Sequence, residues 1–228
     1  MEVAIAAIST GRRGPRVAQA RCAARSEAFD ARSALLEATA DLLRESNGTE
    51  PSVQEIARKA GVNAGLISYY FEGKDGLLRA LLAQNYDQGL SQLRMLMNSD
   101  RPIVEKLRLH IAALINLNAA YPYLNQLTLI VVSRSDAAVS KEIADNLVRP
   151  LADAHATLIN EGVASGELRP VDPMLFYYSV IGASHRIFEA RYSLMNVFGH
   201  ESVSHDLKDR FIDHTVEILL NGVVVHPQ

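Results

Sequence analysis

Two short clusters in the second half of the chain contain residue types that enzymes use in catalysis. His200-Glu201 followed by His205 resembles a zinc-peptidase motif, but its histidines are five residues apart. The zinc ligands of that motif lie about four residues apart, on one face of a helix. Gly182-Ala183-Ser184-His185 lacks the second glycine and the preceding strand of a hydrolase nucleophile turn. Neither cluster supports catalysis, so we expect no enzyme activity, no metal site and no cofactor.

Residues 52–74 carry a pattern that is typical of contact with DNA. Ser52 and Glu55 have the spacing of a capping box, which begins a helix. Gly61 ends that helix and tolerates the positive φ of a tight turn, after which Asn63 can cap a second short helix. Two short helices joined in this way form a helix-turn-helix, whose second helix enters the major groove of DNA. The residues that we expect to contact DNA are Ser52, Asn63, Ala64, Gly65, Ser68, Tyr69, Tyr70 and Lys74.

Three of these residues have well-defined expected roles. Gly65 permits a close approach of the backbone, and Tyr69 can reach a phosphate or a thymine methyl group. Lys74 lies in the first turn of the next helix, where its charge and the free N–H groups both favour a phosphate. The alternative interpretations are that Asn63 only caps its helix, that Tyr70 belongs to the core and that Lys74 is solvated.

The first 25 residues are rich in arginine and lack a clear helical period. Their arginines are Arg12, Arg13, Arg16, Arg21 and Arg25. We expect residues 1–25 to form a flexible arm that enters the minor groove beside the helix-turn-helix. The alternative is a solvated tail. Cys22 lies in this arm and is interpreted as a bystander thiol rather than a redox sensor.

The composition limits the remaining classes of protein. The chain has 228 residues, 48% of them hydrophobic, so it can bury a core. Its single cysteine excludes a disulfide framework and a cysteine-based zinc finger. Because the net charge is −3, DNA contact requires a local basic patch rather than the whole surface. No apolar run reaches the roughly 18–20 residues that span a bilayer, so we expect a cytoplasmic protein without membrane contact.

Hydrophobic periodicity predicts an all-α fold. The apolar run from Leu127 to Val132 is the one ambiguous segment, and its neighbours favour a helix. We expect an N-terminal three-helix domain with the helix-turn-helix over residues 26–73, and a larger all-helical domain over residues 74–228. The helices predicted in the larger domain are 74–98, 102–119, 122–133, 136–165, 173–197 and 204–221.

The N-terminal helices also resemble those of a known family. Leu35–Leu43 resembles the first helix of the DNA-binding domain in the TetR family of transcriptional regulators. Ser52–Val62 is similar to its second helix and turn, Asn63–Phe71 to its recognition helix, and Lys74–Leu78 to the start of its fourth helix. The resemblance covers about a quarter of the chain and is specific in its order and spacing. Near the C-terminus, Thr215–Gly222 is similar to the last helix of many members.

The resemblance implies a homodimeric transcriptional regulator, most simply a repressor that a small-molecule effector releases from a palindromic operator. The implied partners are the operator DNA, the effector and a second copy of the chain. An activator is one alternative; a small-molecule carrier or enzyme with a merely structural helix-turn-helix is another. Pro51, Ala64 and Gly73 stand where the family commonly has Thr, Lys and Ser, so one DNA contact of many members can be missing.

The resemblance further implies that residues 74–228 bind the ligand and form the dimer. Polar side chains in apolar helices cost free energy unless they are paired, so they can line a ligand cavity; otherwise each is solvated or satisfied by a neighbour. The candidate ligand-binding residues are His110, Asn116, Tyr123, Gln126 and His155. Small residues and a wide apolar arc on the last two long helices predict a dimer interface, with packing inside one chain as the alternative. Its candidate residues are Tyr178, Ile181, Gly182, Ala183, Phe188, Phe211 and Leu219.

Overall fold

The computed structural model describes residues 31–46 and 48–225. Regular secondary structure in these ranges is helical, which confirms the all-α prediction; Leu168 and Val224 form a single antiparallel bridge. The predicted arm over residues 1–25, with Cys22, lies outside the described residues. The helices are α1 (31–45), α2 (Val53–Ala60), α3 (Gly65–Phe71), α4 (Lys74–Met97), α5 (Ile103–Ala120), α6 (Leu124–Arg134), α7 (Ala137–Ile143), α8 (Arg149–Ser165), α9 (Pro173–Glu189), α10 (Arg191–Asn196) and α11 (His205–Asn221).

Side-chain caps determine where several of these helices begin. Asp136 accepts a hydrogen bond from the Val139 N–H at 2.9 Å, at the start of α7. Asp172 accepts one from the Met174 N–H at 2.8 Å, at the start of α9. Each cap satisfies an N–H group that the first helical turn leaves free.

One hydrophobic core joins the first three helices to α4 and α6. Leu35 of α1, Ile56 of α2, Ile67 of α3 and Leu78 of α4 pack into it and are almost completely buried. The C-terminal part of the chain contributes further members to the same core, which are Tyr123, Leu124, Leu127, Val131 and Leu147. The predicted boundary between residues 73 and 74 therefore does not separate two independent cores.

A second core lies between α4, α5, α8, α9 and α11, with α5 in contact with each of the other four helices. Leu107 and Ile111 of α5, Leu158 of α8, Val180 of α9 and Val216 of α11 are almost completely buried there. Burial of each such side chain stabilises the fold by roughly 1.5–3 kcal/mol.

Two predicted helices differ in detail from the observed ones. The predicted segment 173–197 is interrupted at Ala190, so that α10 is a separate short helix, which buries Leu194. The predicted segment 136–165 contains a π-helical stretch, Ala144–Val148, between α7 and α8. The Arg149 N–H donates to Ala144 O across this wider turn. Pro150 follows at once; it has no N–H and crowds the carbonyl four residues earlier, which favours the wider turn.

The helices of the described ranges include none that is long and apolar enough to cross a membrane. The longest, α4, has 24 residues but carries charged side chains along its length, among them Arg79, Asp87 and Arg94.

Candidate nucleic-acid interface and ligand cavity

The helix-turn-helix is held together by hydrogen bonds at both ends of α2. Ser52 Oγ accepts from the Glu55 N–H at 3.2 Å, and the Ser52 N–H donates to Glu55 Oε2 at 2.8 Å, so the predicted capping box is present. Hydrogen bonds from Ser52 hold the pKa of the Glu55 carboxyl below its ordinary value. Gly61, with φ 69°, ends α2, and the Val62 N–H donates to Ala57 O at 3.1 Å. These bonds fix the start of α3 relative to α2.

The recognition helix α3 has one buried and one exposed face. Ile67 and Phe71 are buried in the first core. Tyr70 is half-buried and packs edge to face on Tyr69, with ring centroids 4.9 Å apart. The residues of α3 that face solvent are Gly65, Ser68 and Tyr69, and Tyr69 is 77% exposed. A large aromatic side chain held out from a short, otherwise anchored helix is suited to contact a partner molecule.

Asn63 caps the start of α3, the role that the sequence predicts for it. Asn63 Oδ1 accepts a hydrogen bond from the Gly65 N–H at 2.8 Å, and Ala64 between them already has helical φ and ψ angles. A Cβ atom at Gly65 would lie 3.1 Å from Asn63 Oδ1, which is tight for this contact. Because the oxygen is engaged in capping, the Asn63 amide NH₂ is the group that remains for a base or a phosphate.

The turn between α3 and α4 depends on glycine. Glu72 has φ 60° and Gly73 has φ 114°, so the chain reverses over two left-handed residues. In the first turn of α4, a Cβ atom at Gly76 would lie 1.7 Å from Phe71 O, which no side chain can occupy. Gly76 thus lets α4 begin directly against the end of the recognition helix, with Lys74 beside it.

Lys74 belongs to an ion-pair network that joins the helix-turn-helix to α6. Its ammonium group pairs with the Glu50 carboxylate, which precedes α2. Arg134, the last residue of α6, donates from Nη1 to Glu50 Oε1 at 2.7 Å and lies 3.3 Å from Asp75 Oδ1. The group predicted to bind a phosphate is therefore occupied by a carboxylate when no DNA is bound.

The charges of this network balance. Hydrogen bonds from Arg134, and then from Lys74, hold the pKa of Glu50 below its ordinary value against the opposing effect of partial burial. Glu50 in turn raises the pKa of Arg134. With Lys74 and Arg134 positive and Glu50 and Asp75 negative, the four side chains carry no net charge. Arg134 is the cation that α6 supplies to this network.

A buried histidine pair lies beside a small cavity between α4, α5 and α8. The cavity, hereafter the first cavity, has a volume of about 60 Å³ and His110 lines it. The His110 and His155 rings meet edge to face with centroids 4.8 Å apart. Burial, and secondarily His155, lower the pKa of His110 to about 3, and burial also lowers the pKa of His155. Both imidazoles are neutral at physiological pH.

The hydrogen bonds of this pair are incomplete. His155 Nδ1 lies 2.8 Å from Leu151 O, and because a carbonyl oxygen only accepts, the ring proton is on Nδ1. The Nε2 atoms of His110 and His155 have no hydrogen-bond partner among the described residues. An unpartnered polar atom in an apolar interior costs free energy, which indicates a role for the pair beyond packing.

A second cavity of about 80 Å³ lies on the other side of four side chains, between α5, α8 and α9. Tyr86, Leu114, Leu117 and Leu151 line both cavities, and we call these four residues the partition. The Tyr86 hydroxyl is 3.4 Å from Thr128 Oγ1 on α6, and burial raises the pKa of Tyr86.

Of the five predicted ligand-binding residues, His110 alone lines one of the two cavities; His155 packs against His110, and the other three lie elsewhere. Tyr123 is buried in the first core, where its hydroxyl accepts a hydrogen bond from Asn85 Nδ2 at 3.2 Å. Gln126 is exposed, and Asn116 lies at an open cleft of about 670 Å³, where its Oδ1 accepts from Lys208 Nζ at 2.8 Å. The structure thus brings together His110 and His155, and the other three already have solvent or polar neighbours.

The predicted dimer residues divide between two environments. Tyr178, 65% exposed, and Gly182 lie on the outer face of α9. Met174 and Leu175 on α9 and Ile218 on the adjoining α11 are also exposed, and we call the exposed apolar surface of these two helices the α9–α11 face. The remaining candidates are half-buried within the chain and are Ile181, Ala183, Phe188, Phe211 and Leu219. Phe188 and Phe211, for example, meet edge to face inside the chain with centroids 6.5 Å apart.

The two clusters that resemble catalytic motifs are not assembled into sites. Ser184 is buried and its Oγ donates to Ile181 O at 2.9 Å. His200 and Glu201 lie in the loop after α10, whereas His205 is the first residue of α11. Within residues 31–46 and 48–225, no group of three or more His, Cys, Asp or Glu residues could hold a metal ion.

Four structurally important residues were not predicted from the sequence. Glu50, Arg134 and Tyr86 act through contacts with residues more than 20 positions away, which local patterns do not reveal. Gly76 carried a signal, because a glycine in the first turn of an otherwise good helix costs about 1 kcal/mol relative to alanine and therefore indicates a packing requirement.

These features define the class of protein. A helix-turn-helix with an exposed recognition helix, attached to a larger helical body, is the architecture of a DNA-binding regulator. Residues 35–81 match the family of bacterial regulatory proteins described as the tetR family, and residues 101–228 match the tetracyclin repressor-like C-terminal domain. The chain belongs to the TetR family, as its sequence motifs predict, and is a DNA-binding transcriptional regulator.

Comparison with individual proteins agrees with this assignment. The transcriptional regulator RutR of Escherichia coli K12 is 23% identical over 200 residues, which cover 87% of this chain and 93% of RutR. The regulator BetI 2 of Chromohalobacter salexigens is 40% identical over 90 residues, but this match spans only 38% of the chain and 41% of BetI 2. The solved structure of the regulator FadR from Bacillus subtilis, in complex with stearoyl-CoA, has a TM-score of 0.64 at 22% identity and covers 85% of this chain and 99% of that chain. The last likeness shows the shared fold.

Proposed function

We propose that the protein is a homodimeric repressor that binds a palindromic operator in the bacterial cytoplasm and leaves it when a small molecule occupies the helical body. The observation that carries the proposal is the exposed face of α3: Tyr69 stands out from a helix whose start is capped by Asn63 and whose end is fixed against Lys74 by Gly76.

The exposed face of α3 is suited to reading the major groove. Tyr69 and Ser68 point away from the core, and the backbone at Gly65 is uncovered, so each can approach base edges or phosphates. Lys74 lies at the start of α4, where its ammonium group can bind a phosphate while Glu50 stays on its other side. The Lys74–phosphate contact adds affinity, and the contacts of α3 add sequence preference.

Dimerisation supplies the second recognition helix. One helix-turn-helix reads only a few base pairs, whereas two related by a dyad read a palindrome with half-sites about 34–36 Å apart. The α9–α11 face offers Tyr178, Leu175 and Ile218, which are large apolar side chains left exposed by a single chain. Gly182 lies among them with open space beyond its Cα, so a helix from a second copy can approach closely.

Helix α4 connects the proposed DNA contact to the proposed ligand site. Lys74 at its start faces the DNA and Tyr86 lies in the partition, twelve residues or about 18 Å further along the helix. A ligand that binds more tightly when α4 is displaced lowers the affinity for DNA by the difference between its two affinities. Release of the operator then needs no chemical reaction.

The decisive test is selection of DNA from a random pool by the purified protein, followed by affinity measurements on the selected sequence. We expect a palindrome, and binding that weakens steeply as salt rises because phosphate contacts release counterions. Tyr69→Ala should weaken operator binding about thirtyfold or more, since contacts worth about 1–3 kcal/mol are lost in each of two half-sites.

Tyr192→Ala is the matched control, because Tyr192 is equally exposed, at 80%, but lies on α10 in the helical body. It should bind the operator as the wild type does. Recovery of no preferred sequence, or equal affinities for the wild type and Tyr69→Ala, would contradict the proposed interface.

A further inference from the structure

The two cavities are individually too small for an effector. The first has about 60 Å³ and the second about 80 Å³. A cavity of about 150 Å³ is needed to hold a molecule as small as benzene. Because Tyr86, Leu114, Leu117 and Leu151 line both cavities, a molecule that removes the partition gains both volumes together with the space of the displaced side chain.

The lining of both cavities disfavours a charged ligand. Among the described residues, no Lys, Arg, Asp or Glu lines either cavity. The buried His110 is neutral at physiological pH, so it provides no counter-charge. An ion transferred from water into such an environment without a partner loses several kcal/mol of solvation free energy.

Each cavity nevertheless contains an unsatisfied imidazole. His110 lines the first cavity, and its Nε2 has no hydrogen-bond partner in the described part of the chain. His185 lines the second, where its Nδ1 is buried and lies 3.3 Å from Glu189 Oε1 without forming a hydrogen bond. A hydroxyl group both donates and accepts, so it can pair with the neutral imidazole of His110 in either tautomer.

We propose that the effector is an uncharged, elongated and mainly apolar molecule with a terminal hydroxyl, and that it fills both cavities by displacing the Tyr86 ring from the partition. The inference rests on the proposed release by a ligand and adds the chemical class of that ligand. Tyr86 is the movable member, since within the described residues its hydroxyl makes one weak contact, at 3.4 Å from Thr128 Oγ1. Its displacement moves a side chain that links α4 to α6.

Linear primary alcohols from butanol to decanol are the probes, and their dissociation constants for the full-length protein are measured by calorimetry. We expect affinity to rise about fourfold with each added methylene group. At pH 7, decanoate should bind at least tenfold more weakly than decanol because its carboxylate would lose its hydration. Decanol should also lower the affinity for the selected operator.

Two variants distinguish the cavities from general apolar binding. Tyr86→Ala opens the partition and should tighten decanol binding, whereas Ala113→Leu fills the first cavity and should weaken decanol binding. Leu109→Ala, on the exposed side of the same helix α5, is the control and should change neither. Circular dichroism shows that each variant remains folded.

The proposal is overturned if decanol does not bind the wild type, if decanoate binds as tightly as decanol, or if Ala113→Leu leaves decanol binding unchanged. Any of these results, obtained with protein that binds its operator, leaves the proposed repressor function intact. Failure of the protein to bind DNA before any alcohol is added would instead contradict the proposed repressor function.

Discussion

Glu50 should oppose DNA binding, and Glu50→Gln should strengthen it. When Lys74 binds a phosphate, the Glu50 carboxylate remains on the other side of the same ammonium group. Two hydrogen-bond lengths place the two anions about 6 Å apart. At an effective dielectric constant of about 40, between water and a protein surface, their repulsion is about 1.4 kcal/mol. Because Lys74 and Glu50 remain partly exposed, we reduce this to about 1 kcal/mol for each half-site.

Salt should determine how much of this effect is seen. At 0.15 M the Debye length is about 8 Å, which halves the repulsion and leaves a gain of about fivefold for a dimer. At 0.01 M the Debye length is about 30 Å and the gain should be about fifteenfold. The assay is fluorescence anisotropy with the selected operator, titrated at both salt concentrations.

Two further variants make the reasoning refutable. Glu105→Gln removes the same charge from an exposed pair with Arg101 at the start of α5, and should leave affinity unchanged. Arg134→Gln should weaken binding, since Glu50 then interacts with Lys74 alone, and the double variant with Glu50→Gln should recover most of the loss. Equal or lower affinity of folded Glu50→Gln at both salt concentrations would show that Lys74 does not face a phosphate.

Three other variants test the remaining features. Gly76→Ala should abolish operator binding and lower the melting temperature, because its Cβ would overlap Phe71 O; a wild-type melting curve would refute the contact. Gly182→Arg should give folded monomers by light scattering, since there is open space around this position in one chain, and a persisting dimer would place the interface elsewhere. Since the pKa of His110 is about 3 in the folded chain and 6.5 for an unperturbed histidine, stability should fall as pH decreases from 6.5 towards 3, by up to about 1.4 kcal/mol per pH unit. His110→Phe should make this fall shallower in urea unfolding at pH 4.5, 5.5 and 6.5, and equal slopes would contradict the assignment.

Much of the DNA-binding half could be predicted because its signals are local. The capping box of Ser52 and Glu55 and the turn at Gly61 are set by neighbouring residues, and the structure contains them. The family that these motifs indicate is confirmed by the comparisons. The Asn63 cap of α3 is also local: its Oδ1 accepts from the Gly65 N–H, and Ala64 between them has helical angles.

The ligand cavity was harder to predict because the polarity of a residue does not reveal which way its side chain points. Tyr123 and His110 both interrupt apolar segments, yet Tyr123 faces the first core and binds Asn85 while His110 faces the cavity. In the same way, Phe188 and Tyr178 belong to one helix, but only Tyr178 is exposed. The side of a helix that packs against the rest of the chain is decided by contacts between residues far apart in the sequence. A local sequence pattern does not contain that information.

The core shared by α1–α3 and α6 has a consequence for building hybrid regulators. A chimaera made by cutting after residue 73 would separate Ile67 and Phe71 from Leu127 and Val131, leaving apolar surface uncovered on both fragments. A DNA-binding domain (α1–α3) transplanted into another regulator should therefore function only if it brings its own α4 and α6, or if the recipient offers side chains of matching shape. In this protein the unit that can be transferred is the set of helices α1–α4 and α6, which is not one continuous stretch of sequence.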